Sequence, residues 1–520
     1  MAGLPEELKS ADAYYAFLGV GAKEQKFLEK YSAYRYSRAS IPKRRGGTRE
    51  LLVPEPRLKF LQRQTLGLLN QIYSARAPVH GFVIDRSAIT NANAHQTRPY
   101  LLNIDLRNFF GSITRGRVLG MLKAIGLGEE VAAAICSICV TRNQLPQGAP
   151  TSPILSNMVT FSLDRNLVTF AKANRLRYTR YADDLSFSCY AQPTALFDGV
   201  LPLPGKVPVQ QLSASLRSAI LSSGFEINSD KVWFSGPRTR REVTGLVVNE
   251  FTNVRRNFVR NVRAALYKIE KMGAAAAEKE YQTKYKTDAA LKQVLRGRLE
   301  WIAQVRGRSF DAYRTLARRF NGQFPEYALP ILPTNEEIAE RAVWVIEFFV
   351  GEDCEQGTAF FLEGVGLVTA DHVLQKLPPG TSAAIFRPSL PHKKFNATPS
   401  SRRCPDRDLA ILDHDVPSTE CLSLTVATSP EHTKDEIIAL GFPDYGPGDE
   451  LNKRPGRIVG RATKHGVRLI EVDAVLSGGI SGGPIVNERY QVIGVAQRGG
   501  HQAHKQQAVD ISELLKLAAE

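Results

Sequence analysis

The sequence predicts a multidomain chain, an α+β unit over roughly its first 330 residues followed by an all-β unit. Three observations predict this. The charge reverses along the 520 residues: 1–330 hold 49 Lys and Arg against 26 Asp and Glu, a net of +23, whereas 331–520 hold 19 against 26, a net of −7. Pro325, Pro330 and Pro333 fall within nine residues at the point of reversal, where helical patterning stops. Before that point helical periods alternate with apolar strands; after it come short strands divided by Gly, Pro and Asp turns, the pattern of a barrel or sandwich. The basic excess of the first unit is the footprint of a polyanion binder, because Lys and Arg displace counterions from phosphates.

Taken in order, the N-terminus, Met1-Ala2-Gly3-Leu4-Pro5-Glu6-Glu7, lacks the basic start and apolar run of a signal peptide. Nowhere do about 18 apolar residues run together, so a cytoplasmic protein without a membrane partner is expected. Residues 1–40 read as helical, with Tyr31, Tyr34, Arg35, Tyr36 and Arg38 interleaved. Residues 41–54 read as a hairpin with Lys43, Arg44, Arg45 and Arg49 around Gly46-Gly47. Lys43 and Arg49 suit a triphosphate; the alternative is a solvated basic loop. Leu58 to Tyr73 has the period of an amphipathic helix, and residues 101–110 form an apolar strand that delivers Asp105. Cys136 and Cys139 form a CxxC without a second pair or nearby His, and are expected as buried thiols rather than a zinc site. Gln144 to Pro153 is a Pro/Gly loop, followed by helix to about Asn174. Arg180 to Ser188 reads as a hairpin whose turn carries Asp183 and Asp184, carboxylates that repel unless a divalent cation sits between them. With Asp105 they make three carboxylates, a donor set for two Mg2+ ions bridging nucleotide phosphates and an attacking hydroxyl.

In this order and spacing the Asp105 strand, Leu145-Pro146-Gln147-Gly148 and Tyr181-Ala182-Asp183-Asp184 resemble the palm of reverse transcriptases. The likeness extends to the hairpin with Lys43 and Arg49 and to Gly224-Phe225-Glu226-Ile227-Asn228 ahead of Lys231. It implies a right-hand polymerase of fingers, palm and thumb, with Asp105, Asp183 and Asp184 as metal ligands and catalytic residues. Lys43, Arg49, Phe110 and Gln147 would bind the dNTP, Phe110 as an aromatic wall against a ribose 2′-OH. Asn91-Ala92-Asn93-Ala94-His95 and Val243-Thr244-Gly245 are similar to elements of retron reverse transcriptases. That narrower resemblance implies recognition of a cognate non-coding RNA through Asn91, His95, Val243, Thr244 and Gly245. DNA synthesis would be primed from a guanosine 2′-OH and yield an RNA–DNA hybrid. Residues 251–323, with 17 Lys and Arg against 6 Asp and Glu, suit a helical thumb gripping that duplex by its backbone.

Beyond the prolines, His372 closes a strand, Asp408 heads an apolar strand, and Ser481 stands in Gly478-Gly479-Ile480-Ser481-Gly482-Gly483-Pro484. Amide hydrolysis needs a nucleophile, a base, a carboxylate to orient the base and donors for the oxyanion. The order His, Asp, Ser resembles the trypsin-like serine proteases, which implies a chymotrypsin-fold double barrel. Ser481 is then nucleophile, His372 general base, Asp408 orienting acid, and the amides of Gly479 and Ser481 the oxyanion hole. Val373 stands where secreted members have a disulfide Cys, and Ile480 where they have the Asp that accepts a trimmed N-terminus. A conformational trigger, as in HtrA-type members, is expected instead. Val475, six residues before the nucleophile, favours small or apolar P1 side chains.

The expected boundaries are 1–95 for N-terminal helices and fingers, 96–250 palm, 251–323 thumb, 324–337 linker and 338–520 protease. The expected partners are the cognate RNA and its RNA–DNA product, dNTPs and an unidentified protein substrate; the expected role is anti-phage defence. Two readings stay open beside this one: a viral replicase fragment joining polymerase and protease, and a reverse transcriptase with a non-catalytic protease-like binding module.

Overall fold

The computed structural model describes residues 5–42, 48–429, 431–497 and 505–520. The chain divides into two compact units, Met1–Leu329 and Pro330–Glu520, the division falling among the three prolines. The irregular stretch is shorter than expected. Pro325–Tyr327 forms a 3-10 turn, and a helix already begins at Asn335 behind a capping box of Thr334 and Glu337.

The first unit is built on a five-stranded antiparallel sheet in the order Arg177–Tyr181, Asp184–Cys189, Tyr100–Leu106, Ile227–Ser235 and Gly205–Lys206. Tyr100–Leu106 occupies the middle because nearly all of it is apolar: Leu101, Leu102, Ile104 and Leu106 are buried. The helix Phe161–Ala173 turns Leu163, Leu167 and Ala171, four residues apart, toward the sheet and packs on Arg177–Tyr181. Ahead of the sheet, the helices Ala11–Phe17 and Ala22–Tyr31 lead into a hairpin of Tyr36–Pro42 and Thr48–Pro54. That hairpin starts five residues earlier than its Gly-Gly turn suggested, since the polar alternation of Tyr36 to Ser40 pairs with the Leu-rich return strand. Its tip, with Lys43, lies outside the described residues, and Arg49 is placed by its backbone alone. After the sheet, Arg256–Met272, Ala274–Tyr285, Leu291–Arg306 and Asp311–Gln323 form a helical bundle. Val262, Leu266 and Ile269 bury one face of its first helix. Gly273 and Gly307, at φ 84° and 85°, end two of the helices in a conformation that a Cβ would strain.

The second unit holds two closed six-stranded barrels, the double barrel that the resemblance in this half implied. One runs Val343–Val350, Asp353–Leu362, Gly366–Thr369, Leu409–His414, Phe395–Cys404 and Ala383–Phe386. The other runs Glu436–Gly441, Asn452–Lys464, Val467–Val472, Gln506–Asp510, Val492–Ala496 and Pro484–Asn487. All six cysteines are free, Cys136 and Cys139 among the buried ones. Among the described residues no helix is long and apolar enough to cross a membrane.

Candidate active sites

Asp105 lies near the end of the central strand, and its partner across the sheet is Asp184. Tyr181 pairs with Asp184, which leaves Ala182 and Asp183 as a two-residue hairpin loop. Ala182 takes φ 55°, a left-handed conformation that costs a residue with a Cβ roughly 1–2 kcal/mol.

Arg180 holds that loop in place. Its Nη1 donates to the Ala182 carbonyl and to Asn157 Oδ1, both at 3.1 Å. Its Nε and Nη2 grip the Asp164 carboxylate at 2.8 and 2.7 Å, and the Tyr178 hydroxyl donates to the same carboxylate at 2.9 Å. Both charges are fully buried, 0% and 1% exposed. Pro78–Gly81 braces the hairpin from outside: the Arg180 amide donates to Pro78, the His80 amide to the Arg180 carbonyl, and Asn157 Nδ2 to the Gly81 carbonyl. A Cβ on Gly81 would stand 2.5 Å from the Ala182 nitrogen, so only glycine fits there. None of these braces is visible in the sequence, because a buried Arg–Asp pair sixteen residues apart has no local periodicity.

Asp105 accepts from Lys231 Nζ at 2.7 Å and from Asn228 Nδ2 at 2.8 Å. Burial pulls the Lys231 ammonium down, but the bond to Asp105 and the charges of all three carboxylates outweigh it and raise its pKa. Enclosure by the surrounding protein, then the charges of Asp183 and Asp105, push the Asp184 carboxyl up to about 7. Its side chain nevertheless opens on solvent, so the charge repulsion is the part that a cation would relieve. Among the described residues no three His, Cys, Asp or Glu side chains already converge as metal ligands; Asp105 is turned to Lys231 and Asn228 instead. The donor chemistry fits a hard divalent ion: three carboxylates, short of positive charge, at one end of the sheet.

Phe110, half-buried, stands five residues past Asp105 with its ring 5.3 Å from Phe109 and 6.2 Å from Phe82. The Gln147 carbonyl accepts from the Leu52 amide at 2.8 Å, which ties the loop to the hairpin of Tyr36–Pro54. The residues expected to read RNA are placed differently. Asn91, His95 and Val243 are buried, His95 between the Ser188 and Thr179 hydroxyls at 2.6 and 2.7 Å. Of the five residues in this set only Gly245 is exposed. The helix Ala88–Asn93 packs against the turn that carries Thr244 and Gly245, and Thr244 Oγ1 donates to the Ala88 carbonyl at 2.8 Å. Burial, then Arg98, Arg177 and His80, push the His95 imidazole down to about 3.

In the second unit His372 lies three residues past its strand, in the 3-10 turn Asp371–Leu374, rather than at the strand end. Asp408, at φ 54° immediately before Leu409–His414, meets His372 Nδ1 with Oδ2 at 2.8 Å and Oδ1 at 2.9 Å. It also accepts from the His372 amide at 2.9 Å. This double hold fixes the ring with Nε2 as the outward nitrogen. Ser481 is buried in its loop, and Nε2 of His372 has no hydrogen-bond partner, so no bond yet joins base and nucleophile. Among the described residues neither the Gly479 nor the Ser481 amide donates within the protein, which leaves both for an oxyanion.

Thr358 organises this loop, and the sequence reading missed it. Its Oγ1 donates to the Gly479 carbonyl at 2.6 Å and accepts from the Phe442 amide at 3.1 Å, while its own amide donates to the Ser481 carbonyl at 3.0 Å. Thr369, at the end of the strand leading to His372, donates to the Thr358 carbonyl at 2.8 Å. Ile480 is fully buried, so no carboxylate stands ready at that position for a new N-terminus. Val475 is exposed, with its carbonyl held by Arg454 at 2.7 Å.

Residues 41–248 match the family described as reverse transcriptase (RNA-dependent DNA polymerase), and residues 357–495 the trypsin-like peptidase domain. The chain is similar to the retron Mx162 reverse transcriptase of Myxococcus xanthus, 32% identical over 59% of this chain and 67% of that protein. It is also similar to the retron Ec86 reverse transcriptase of Escherichia coli, 34% identical over 46% of this chain and 70% of that protein. Among solved structures, the active form of the Rv3671c protease from M. tuberculosis is 23% identical and covers 36% of this chain and 82% of its own, with a TM-score of 0.31.

Proposed function

Because this chain belongs to the retron reverse transcriptases and is an RNA-directed DNA polymerase joined to a serine protease domain, we propose that its two activities form one signalling device. The first unit copies part of a cognate structured RNA into RNA-linked DNA, primed from a guanosine 2′-OH. The second is a proteolytic effector that this nucleic-acid complex restrains until phage infection disturbs it.

Asp105, Asp183 and Asp184 would hold two Mg2+ ions, which supply charge neutralisation on the triphosphate and acidify the attacking hydroxyl. Arg180 and Gly81 fix the Ala182–Asp183 loop, Lys231 balances Asp105 before nucleotide arrives, and Phe110 limits the sugar to one without a 2′-OH. In the protease, His372 Nε2 takes the Ser481 proton as Oγ attacks the peptide carbonyl. Asp408 keeps Nδ1–H oriented toward itself, and the Gly479 and Ser481 amides receive the oxyanion. His372 later returns the proton to the leaving amine.

The observation that carries the proposal is a prepared but incomplete hydrolytic site. His372 is locked by Asp408 while its Nε2 remains unpartnered, and Ile480 removes the usual N-terminal activation route. Such a site calls for control from outside it, and the polymerase on the same chain supplies the nucleic acid that would restrain it until infection disturbs the complex. The test is a phage challenge of cells expressing the chain with its RNA as wild type, Asp183→Ala/Asp184→Ala or Ser481→Ala. Both variants are expected to lose protection; if Ser481→Ala protects as wild type does, the effector reading fails.

A further inference from the structure

The tyrosines and basic residues interleaved between Phe27 and Arg38 take part in neither active site, yet they are placed with some order. Phe27 and Tyr31 lie one turn apart on the helix Ala22–Tyr31, their ring centroids 5.7 Å apart and their planes 45° apart. Tyr34, in the following 3-10 turn, continues the row 6.2 Å from Tyr31. The three rings are 36%, 41% and 82% exposed, while the helix buries only Leu28. Cations line them: the Arg35 guanidinium sits 4.8 Å from the Phe27 centroid and the Lys30 ammonium 5.4 Å from that of Tyr31.

The row is fixed rather than floppy. Arg57 donates to both Glu24 oxygens, at 3.1 and 2.9 Å, and to the Gly19 carbonyl at 2.9 Å, which anchors the helix to its neighbour Pro56–Ile72. Arg35 is paired with Glu55, and the Glu55 amide donates to the Arg35 carbonyl at 2.9 Å, which anchors the 3-10 turn to the hairpin.

We infer that Phe27, Tyr31 and Tyr34 form a stacking platform for unpaired bases of single-stranded RNA. Stacking explains the exposure of three large rings in a soluble fold, because every base has a π-face whatever its sequence. Duplex offers these rings only phosphates and groove edges, whereas an unpaired strand offers both faces and charge. The charge of the site favours a polyanion over a protein partner: residues 22–38 carry five Lys and Arg against two Asp and Glu, in a unit of net +23. The strand is RNA by continuity, and this step rests on the function proposed above. The row runs directly into the strand Tyr36–Pro42, whose partner strand bonds the Gln147 loop, one of the segments through which the chain resembles a polymerase palm.

The test compares the full-length chain as wild type, Tyr31→Ala/Tyr34→Ala and Tyr31→Phe/Tyr34→Phe. Each is titrated at one salt concentration against a fluorescein-labelled oligouridine and against an RNA duplex of the same length. The alanine pair is expected to lose about 10- to 100-fold in oligouridine affinity, the range for one or two lost base stacks. The phenylalanine pair should bind as wild type does, and duplex affinity should not move, since no charge changes. Unchanged oligouridine binding by the alanine pair overturns the inference. So does an equal loss on duplex, which would mean a general phosphate surface or an unfolded region, and so does an equal loss by the phenylalanine pair. Wild type is assayed in parallel for dNTP incorporation on an annealed primer. Failure there overturns the polymerase reading and leaves the binding result to judge the platform by itself.

Discussion

At Asp105, Asp183 and Asp184 three carboxylates crowd one end of a sheet, with Lys231 as their nearest positive charge. The sequence exposed these residues because a strand-borne Asp and an Asp-Asp turn are short local patterns. It hid Arg180 and Asp164, whose pairing depends on a helix folding back over a strand. Removing one member of a fully buried ion pair strands the other charge, at a cost of about 3–5 kcal/mol. Arg180→Met is therefore expected to lower the urea midpoint sharply and to abolish DNA synthesis, while Arg180→Met/Asp164→Leu recovers much of the stability but not the synthesis. A double variant as unstable as the single would contradict this. His95 supplies a pH test. Its folded pKa of about 3 lies below the unfolded value of about 6.5, so the unfolded chain takes up the proton first. Its contribution is fully present above about pH 6.5 and is lost as pH falls toward 3. Between pH 6.5 and 5 that is of order 2 kcal/mol, with His80, pushed to about 4 by burial and by Arg86 and Arg177, adding to the same slope. Urea titrations across this range should show a flatter dependence for His95→Gln; an unchanged slope would contradict the assignment.

At the scale of elements, the fold was legible where periodicity was strong. The apolar strand at Tyr100–Leu106 and the helix Phe161–Ala173 follow from their apolar spacing. The Asn-Ala-x-x-His element was legible as a motif but the burial of Asn91 and His95 was not, because sequence does not tell an inward-facing polar residue from an outward one. The Ser481 loop shows the same limit: its glycines announced a tight turn, but nothing announced that Thr358, more than a hundred residues earlier, would hold it. Thr358 touches no reacting atom and acts through Gly479 as a positioning residue. Thr358→Val is expected to slow fluorophosphonate labelling of Ser481 about 10-fold or more with little change in melting temperature, since a displaced oxyanion donor costs up to 10²–10³ in rate. Thr358→Ser should restore the rate. Equal rates for all three would show that the hydroxyl does not set the donor geometry.

For the whole molecule, the reversal of charge between the two units was readable from composition, and it coincides with the division between the polymerase unit and the protease unit. Composition could not say how the two halves communicate, because coupling is a difference between states and leaves no mark in residue counts. In the proposed device, DNA made at Asp183 and Asp184 governs the reactivity of Ser481. The most direct measurement is fluorophosphonate labelling of Ser481 in the chain purified with its RNA–DNA product, before and after nuclease digestion, with Asp183→Ala/Asp184→Ala as a second arm. Slow labelling of the intact complex is expected, with a clear rise once the nucleic acid is degraded. Labelling at one unchanged rate with and without the nucleic acid would contradict it.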